Sequence, residues 1–100
     1  MTTAPVTASA ADLDAHAVTL RYFAWVREKI GTASEHVIIP AHVRTVADMM
    51  AWLGSRGDGY AEAFSRPEVI RAAIDQAHVH PGSSIENARE IAFFPPVTGG

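Results

Sequence analysis

The chain has 100 residues, of which 48% are hydrophobic and 19% charged, a composition that fits one globular domain with a single core. The formal net charge is −3 and the eight Lys and Arg residues are scattered, so no basic stripe suits a phosphate backbone and we expect no nucleic-acid partner. The chain contains no cysteine, which excludes disulfides, thiolate metal sites and thiol nucleophiles.

The N-terminal segment, residues 1–15, is rich in Thr, Ala and Ser, with Val6 and Leu13 as its only large aliphatic residues. So little apolar surface does not offset the entropy of ordering the segment, so we expect a disordered leader. A secretory signal has a basic residue ahead of a continuous apolar run, and this segment has neither. No apolar stretch of the chain is long enough to span a bilayer. We therefore expect a cytoplasmic protein with no membrane partner and a folded domain over residues 16–94.

The first half of that domain begins with a strand from Ala17, because apolar residues recur at every second position: Val18, Leu20 and Tyr22. Residues 24–30 (AWVREKI) predict a short helix that ends at Gly31. Residues 35–39 are rich in β-branched side chains and end at Pro40, which predicts a second strand paired with the first.

The main helix is predicted to begin at Thr45, whose hydroxyl can accept a hydrogen bond from the backbone N–H of Asp48. The residues that follow form one apolar stripe at helical spacing: Val46, Met49, Met50 and Leu53. We expect this helix to pack on the sheet and to end at Gly54. One further helical turn is expected over residues 60–64.

The segment 68–79 fits a helix face and a strand equally well by periodicity, so the pattern alone leaves both open. Turns are expected at residues 80–83 and 87–89, where Pro, Gly, Ser and Asn cluster. Residues 90–94 (EIAFF) predict a buried terminal strand. The fold class is therefore α+β, in the order β, α, β, α, β, β.

The final residues, FFPPVTGG, form an uncharged arm behind that strand. Pro95 and Pro96 fix their own φ and favour extended geometry in the residue before each, so residues 95–100 form a stiff tail. At about 3.3–3.6 Å per residue the tail reaches roughly 20 Å, enough to enter a pocket of another protein. Gly99 and Gly100 lack Cβ atoms, so a narrow channel can hold them and the terminal carboxyl carbon is unshielded.

A carboxylate is a poor electrophile, so chemistry at Gly100 requires activation, most simply as an acyl-adenylate made from ATP. The chain has no GxxxxGK[ST] loop that could hold a triphosphate. An ATP-dependent activating enzyme is therefore expected to act in trans, and no cofactor is expected to be bound permanently.

The ending IAFFPPVTGG resembles the C-terminus of the small, sulfur-carrying subunit of molybdopterin synthase, the MoaD family of ubiquitin-like β-grasp proteins. The stretches VTLRYFAWVREKIG and TVADMMAWL are similar to that family's first strand with its helix and to its main helix. The resemblance implies a mixed sheet of about four to five strands on one main helix, with a protruding tail. It also favours a strand over residues 69–74.

The resemblance further implies a carrier cycle without catalysis by the chain itself. Gly100 would be adenylated, converted to a thiocarboxylate with sulfur from a sulfur-donating protein, and inserted into the large catalytic subunit, in the heterotetrameric assembly that the family resemblance implies. There the sulfur passes to cyclic pyranopterin monophosphate in molybdenum cofactor synthesis. The residues carried over as the partner-binding tail are Phe93, Phe94, Pro95, Pro96, Val97, Thr98 and Gly99.

The sequence departs from the family at the leader and at residues 87–90 (NARE), which replace a glycine-containing turn. Other candidate features have simpler interpretations. His78 and His80 have a spacing that some metal sites use, but two imidazoles do not close a site, so no metal is expected. Met49 and Met50 are interpreted as core residues, and one of the two tryptophans is a candidate for a partner surface.

Three alternative functions are compatible with the sequence. A sulfur carrier for thiazole or cysteine synthesis would share the Gly-Gly end, and a ubiquitin-like modifier would join Gly100 to lysines of target proteins. A plain interaction domain would have an idle tail. An independent enzyme is not expected, because no acid, base or nucleophile constellation is present in the sequence.

Overall fold

A computed structural model of the protein describes residues 16–96. Within that range the strands are β1 (His16–Tyr22), β2 (Ser34–Ile39), β3 (Arg71–Ile74), β4 (Ala77–Val79) and β5 (Glu90–Phe94). The helices are α1 (Ala24–Ile30), α2 (Val46–Gly54) and α3 (Asp58–Ala63), and Pro67–Val69 forms a single 3-10 turn. The predicted leader lies outside the described residues.

The strands form one mixed sheet in the order β2-β1-β5-β3-β4. β1 and β5 run parallel, and all the other pairs are antiparallel. One face of the sheet supplies Leu20, Ile91 and Phe93 to the hydrophobic core, where they meet the buried stripe of α2. This is the β-grasp arrangement that the sequence resemblance implies.

The N-terminus of α2 confirms the prediction made at Thr45. The backbone N–H of Asp48 donates to Thr45 Oγ1 at 3.1 Å, and Asp48 Oδ2 accepts the N–H of Thr45 at 3.2 Å. The two bonds satisfy donors that the first turn of a helix otherwise leaves unpaired. The helix ends at Gly54, as predicted, and Ser55 follows as its C-terminal cap.

The ambiguous segment 68–79 contains strands and no long helix. β3 starts at Arg71, two residues later than the predicted strand over 69–74, because residues 67–69 form the 3-10 turn. β3 then pairs with β4 through a two-residue turn, in which Asp75 and Gln76 have φ of 49° and 75°. The separate strand β4 was absent from the predicted order, because three residues are too few to show a periodicity.

The turn before β5 forms without the glycine that the family resemblance suggests. Asn87 has a φ of 65°, the left-handed conformation, which asparagine tolerates better than most residues with a Cβ atom. The carboxylate of Asp75 accepts the N–H groups of Arg89 and Glu90 at 3.1 and 2.9 Å, which fixes the entry into β5. Among residues 16–96, no helix has the length and apolar content needed to cross a membrane.

Candidate functional site

The C-terminal arm leaves the domain from the middle of the sheet. β5 lies between β1 and β3, so its backbone is held on both sides up to Phe94, which is opposite Arg71. One further bond ties the exit to the start of α1: the N–H of Phe23 donates to the carbonyl oxygen of Phe93 at 3.1 Å. Pro95 and Pro96 follow, half-buried, and the direction of the arm is therefore set by a strand that is paired on both sides.

The two phenylalanines at the base of the arm have different surroundings. The side chain of Phe93 is fully buried, and its ring meets the ring of Phe64 edge-to-face with 5.2 Å between centroids. Phe94 points to the opposite face of the sheet, is half-buried, and contacts the imidazole of His78 at 5.3 Å between centroids. Both were predicted to belong to the partner-binding tail. In this structure Phe93 anchors the arm to the core, and only Phe94 has ring surface left for a partner.

Two exposed aromatic residues lie next to the arm exit, at the start of α1. Phe23 is 42% exposed and Trp25 is 36% exposed. The guanidinium of Arg21 lies 5.5 Å from the centroid of the Phe23 ring, an arrangement that attracts a cation to the ring face. Trp52, by contrast, is half-buried under the guanidinium of Arg56 at 5.3 Å. Of the two tryptophans, Trp25 is therefore the one with surface to offer a partner.

A cluster of polar groups supports the sheet beside the arm. Glu35 of β2 accepts hydrogen bonds from the hydroxyls of Tyr22 at 2.7 Å and Tyr60 at 2.6 Å, and Arg56 Nη1 lies 3.4 Å from its other oxygen. These contacts join β1, β2 and α3, and they stabilise β1, the strand that runs parallel to β5.

The cluster also shifts the ionisation of its members. Partial burial raises the pKa of the Glu35 carboxyl, but the hydrogen bonds from Tyr60 and Tyr22 and the charge of Arg56 outweigh burial, and the net pKa is lowered. Burial, followed by the hydrogen bond to Glu35, raises the pKa of Tyr22 far above its ordinary value. The same two causes raise the pKa of Tyr60. Glu35 is therefore ionised and both phenols are neutral at physiological pH.

One cleft of the domain is distant from the arm. It has a volume of about 690 Å³ and is bordered by His16 at the start of β1 and by Arg44, Asn87 and Ala88. Because β1 and β5 are parallel, these residues lie at the end of the sheet opposite the arm exit. The cleft gives no support for chemistry at the C-terminus.

The other candidate residues are placed as follows. His78 packs on Phe94, and no group of three or more metal-binding side chains occurs among residues 16–96. Met49 and Met50 are buried in the core, as predicted. Val97, Thr98, Gly99 and Gly100 lie outside the described residues, so their predicted roles remain predictions.

Sequence reasoning did not identify Phe23, Arg21 and His78 as neighbours of the arm base. The available signal was the alternation in RYFAW: Phe23 continues the strand pattern on the face opposite the core, which is also the face of Phe94.

Comparison with known proteins gives a consistent result. The ThiS family model matches residues 20–100. The molybdopterin synthase sulfur carrier subunit of Haemophilus influenzae is 35% identical over 79 residues, covering 79% of this chain and 94% of that protein. The protein of the same name from Escherichia coli is 34% identical over 83 residues, covering 83% of this chain and 99% of that protein. The crystal structure of SAMP1 from Haloferax volcanii matches with a TM-score of 0.62 at 22% identity, covering 85% of this chain and 100% of that structure, and shows the shared fold.

Proposed function

We propose, from the premise that this chain belongs to the ThiS family, that it is the sulfur carrier subunit of a molybdopterin synthase. The observation that carries the proposal is the identity of 34–35% to two proteins of that name over about four-fifths of the chain. The position of β5 supports it, because a strand at the centre of the sheet presents the arm of Pro95 and Pro96 as a fixed projection.

The proposed reaction takes place at the carboxyl group of Gly100. A carboxylate oxygen attacks the α-phosphorus of ATP in the activating enzyme, an acyl-adenylate forms and pyrophosphate leaves. A sulfide ion (HS⁻) supplied by a sulfur-donating protein then attacks the carbonyl carbon, and the bond from that carbon to the AMP oxygen breaks, so that AMP leaves. The product is a thiocarboxylate. The chain itself contributes the electrophilic carbon and no catalytic side chain.

The arm, now carrying the thiocarboxylate, then enters the large catalytic subunit, where its sulfur is passed to cyclic pyranopterin monophosphate. Residues Pro95–Gly99 act as the inserted arm in this proposal, and Phe94 with Phe23 forms the apolar surface around its base. Pre-set proline dihedrals reduce the entropy that is lost when the arm is ordered in the channel. Because the side chain of Phe93 is buried in the core, the start of the arm is held in place relative to the domain. We place the cycle in the cytoplasm, where ATP is available.

The proposal is tested by reconstitution with the activating enzyme, ATP and a sulfur donor. The full chain is expected to gain the mass of one sulfur-for-oxygen exchange at its C-terminal peptide, and the chain that lacks Gly100 is expected to gain none. The modified chain, mixed with the large subunit and cyclic pyranopterin monophosphate, should then yield molybdopterin. Molybdopterin formation at an undiminished rate with the shortened chain would refute the proposal.

The same reaction mixture separates the alternative carriers, and cell extract identifies a modifier. A thiazole or cysteine pathway carrier would acquire the thiocarboxylate but would not support molybdopterin formation. A protein modifier would appear in cell extract as a ladder of conjugates through Gly100.

A matched pair of variants, Phe94→Ala beside the arm and Ile38→Ala far from it, tests the apolar surface around the base of the arm. Only Phe94→Ala is expected to weaken binding to the large subunit.

A further inference from the structure

Arg71 lies beside the base of the arm, on the face of the sheet opposite the core. It is the first residue of β3 and is opposite Phe94, the last residue of β5, in the antiparallel register. Residues that are directly opposite share a face of the sheet, with Cβ atoms about 4.5–5.5 Å apart. Phe93 and Ala72 belong to the core, so Phe94 and Arg71 both point to the other face, and Arg71 is exposed there.

The guanidinium of Arg71 forms no ion pair within the described part of the chain. Its hydrogen bond there runs from Nη1 to the backbone carbonyl oxygen of Glu68, at 3.4 Å. The carboxylate of Glu68 is bonded instead to Arg66 Nε at 3.3 Å, and the carboxylate of Glu90 pairs with Arg21 at 3.9 Å. A guanidinium has five N–H donors, so most of the donors of Arg71 are free for a partner.

The neighbours of Arg71 are of the kind found in protein–protein interfaces. Extending the parallel register of β1 and β5 by one residue places Phe23 beside Phe94, on the side away from Arg71. Phe23 is exposed and Phe94 is half-buried. Aromatic and arginine side chains are enriched in interfaces, and they supply most of the residues that dominate binding energy. We call Phe23, Phe94 and Arg71 the arm-base surface.

The proposed function identifies the protein that covers the arm-base surface, and the inference rests on that function. A stable protein–protein interface takes about 20–30 residues from each partner, and the arm supplies only residues 95–100. A carrier subunit must therefore contact the large subunit with its domain as well as with its arm. The arm projects from the arm-base surface, so this is the part of the domain that the large subunit meets when the arm is inserted along its full length.

We propose that Arg71 is a specificity-determining residue of the carrier, which pairs with an Asp or Glu of the large subunit beside the channel that receives the arm. A planar guanidinium can hold a carboxylate through two parallel N–H···O bonds. The pair lies next to the ring of Phe94, where the interface excludes water and opposite charges attract more strongly than at an open surface.

The position of Arg71 to one side of the arm gives the pair a second effect. An inserted arm fixes where the domain sits, but the domain can still rotate about the arm. An ion pair on the β3 side of β5 fixes that rotation. The pair thus sets the orientation in which the carrier docks, and a protein that has a channel but no matching carboxylate binds the carrier less well.

Two variants with the same change of net charge test the proposal. Arg71→Gln removes the cation at the arm base, and Arg89→Gln removes one before the start of β5, at the end of the sheet opposite the arm exit. Both side chains are exposed, so the urea midpoints of both variants are expected to match that of the original chain. In calorimetric titrations with the large subunit, Arg71→Gln is expected to weaken binding by about tenfold or more, and Arg89→Gln by less than about twofold.

Charge reversal in both proteins tests the pair itself. Arg71→Glu is expected to weaken binding by about 100-fold, because two carboxylates then face each other. Changing the matching Asp or Glu of the large subunit to Lys should restore most of that binding, and the same change should not improve the binding of Arg89→Glu. A purely structural role of Arg71 within its own domain would not be rescued by a change in the other protein.

Four results would overturn the proposal: equal weakening by Arg71→Gln and Arg89→Gln, undiminished binding of Arg71→Gln, no acidic position of the large subunit that rescues Arg71→Glu, or a defect confined to the activating enzyme. Failure of the original chain to bind the large subunit would refute the proposed function as well. The two failures are distinguishable, because the second appears without any variant.

Discussion

The two phenylalanines at the base of the arm offer a direct test of how the core and the tail divide their roles. Phe93 is fully buried against Phe64, and Phe94 is half-buried on the opposite face. Truncating a buried Phe to Ala costs about 3–5 kcal/mol, and the lost edge-to-face contact places Phe93→Ala in the upper half of that range. For Phe94→Ala we expect about 1 kcal/mol, roughly half of what full burial of such a side chain contributes.

Urea denaturation followed by the fluorescence of Trp25 and Trp52 measures both losses. A domain of this size has a total stability of about 5–15 kcal/mol, so Phe93→Ala is expected to remove between about a quarter and nearly all of it. The milder variant Phe93→Leu keeps most of the apolar volume and should lose about 1–2 kcal/mol while remaining folded.

Binding to the large subunit is expected to show the opposite order. A half-exposed aromatic residue at the centre of an interface is worth about 2 kcal/mol, so Phe94→Ala should weaken binding about 30-fold. Phe93→Leu, once folded, should bind within about threefold of the original chain, a difference below 1 kcal/mol. Equal losses of stability in Phe93→Ala and Phe94→Ala, or a large binding defect confined to Phe93→Leu, would show that the assignment of the two rings is wrong.

Four further changes test the supports of the fold. A Cβ atom at Gly59 would lie 2.5 Å from the carbonyl oxygen of Lys29. Gly59→Ala should therefore destabilise the protein by about 1–2 kcal/mol in urea denaturation, although alanine has the better helix propensity. A stabilised variant would contradict the close approach of α1 and α3. Thr45→Ala removes the cap of α2 and should cost about 1 kcal/mol, whereas Thr45→Ser should cost far less; equal costs would exclude the hydroxyl as the cause. Glu35→Gln should lower the free energy of unfolding by about 1–2 kcal/mol at neutral pH. This difference between the original chain and the variant should become smaller as pH falls below about 4.3, because the lowered pKa of Glu35 adds stability only while the carboxylate is ionised. A difference that is constant with pH would argue against this. The raised pKa of Tyr22 has the opposite effect: it adds stability only while the phenol is protonated. The free energy of unfolding should therefore fall above about pH 10 by up to about 1.4 kcal/mol per pH unit, and by less in Tyr22→Phe. A stability that does not change at alkaline pH would contradict the burial of Tyr22.

Much of the fold could be predicted from the sequence because local and global signals agree. The cap at Thr45 and the apolar stripe of α2 are local features, and the terminal strand was predicted with its observed bounds, Glu90–Phe94. β3 and β4 could not be placed by pattern, because the short hairpin at Asp75 and Gln76 has neither the length nor the Gly that usually identifies such a turn.

The candidate site was predictable in its chemistry and not in its surroundings. Composition and order identify the proline arm, but the difference between Phe93 and Phe94 depends on which face of β5 meets α2. Alternation shows that the two rings point in opposite directions and does not show which face is covered. In the same way, the contact between Glu35 and Tyr60 joins residues 25 positions apart, and no periodicity reports such a pair.

The most direct test of the central claim is the mass of the C-terminal peptide of this protein isolated from its native cell. The account predicts a peptide that ends at Gly100, present partly as the carboxylate and partly heavier by the exchange of one oxygen for sulfur. Blocking the activating enzyme should remove the heavier form. A mature protein that retains further residues beyond Gly100, or that never carries the sulfur while molybdopterin is being made, would contradict the account.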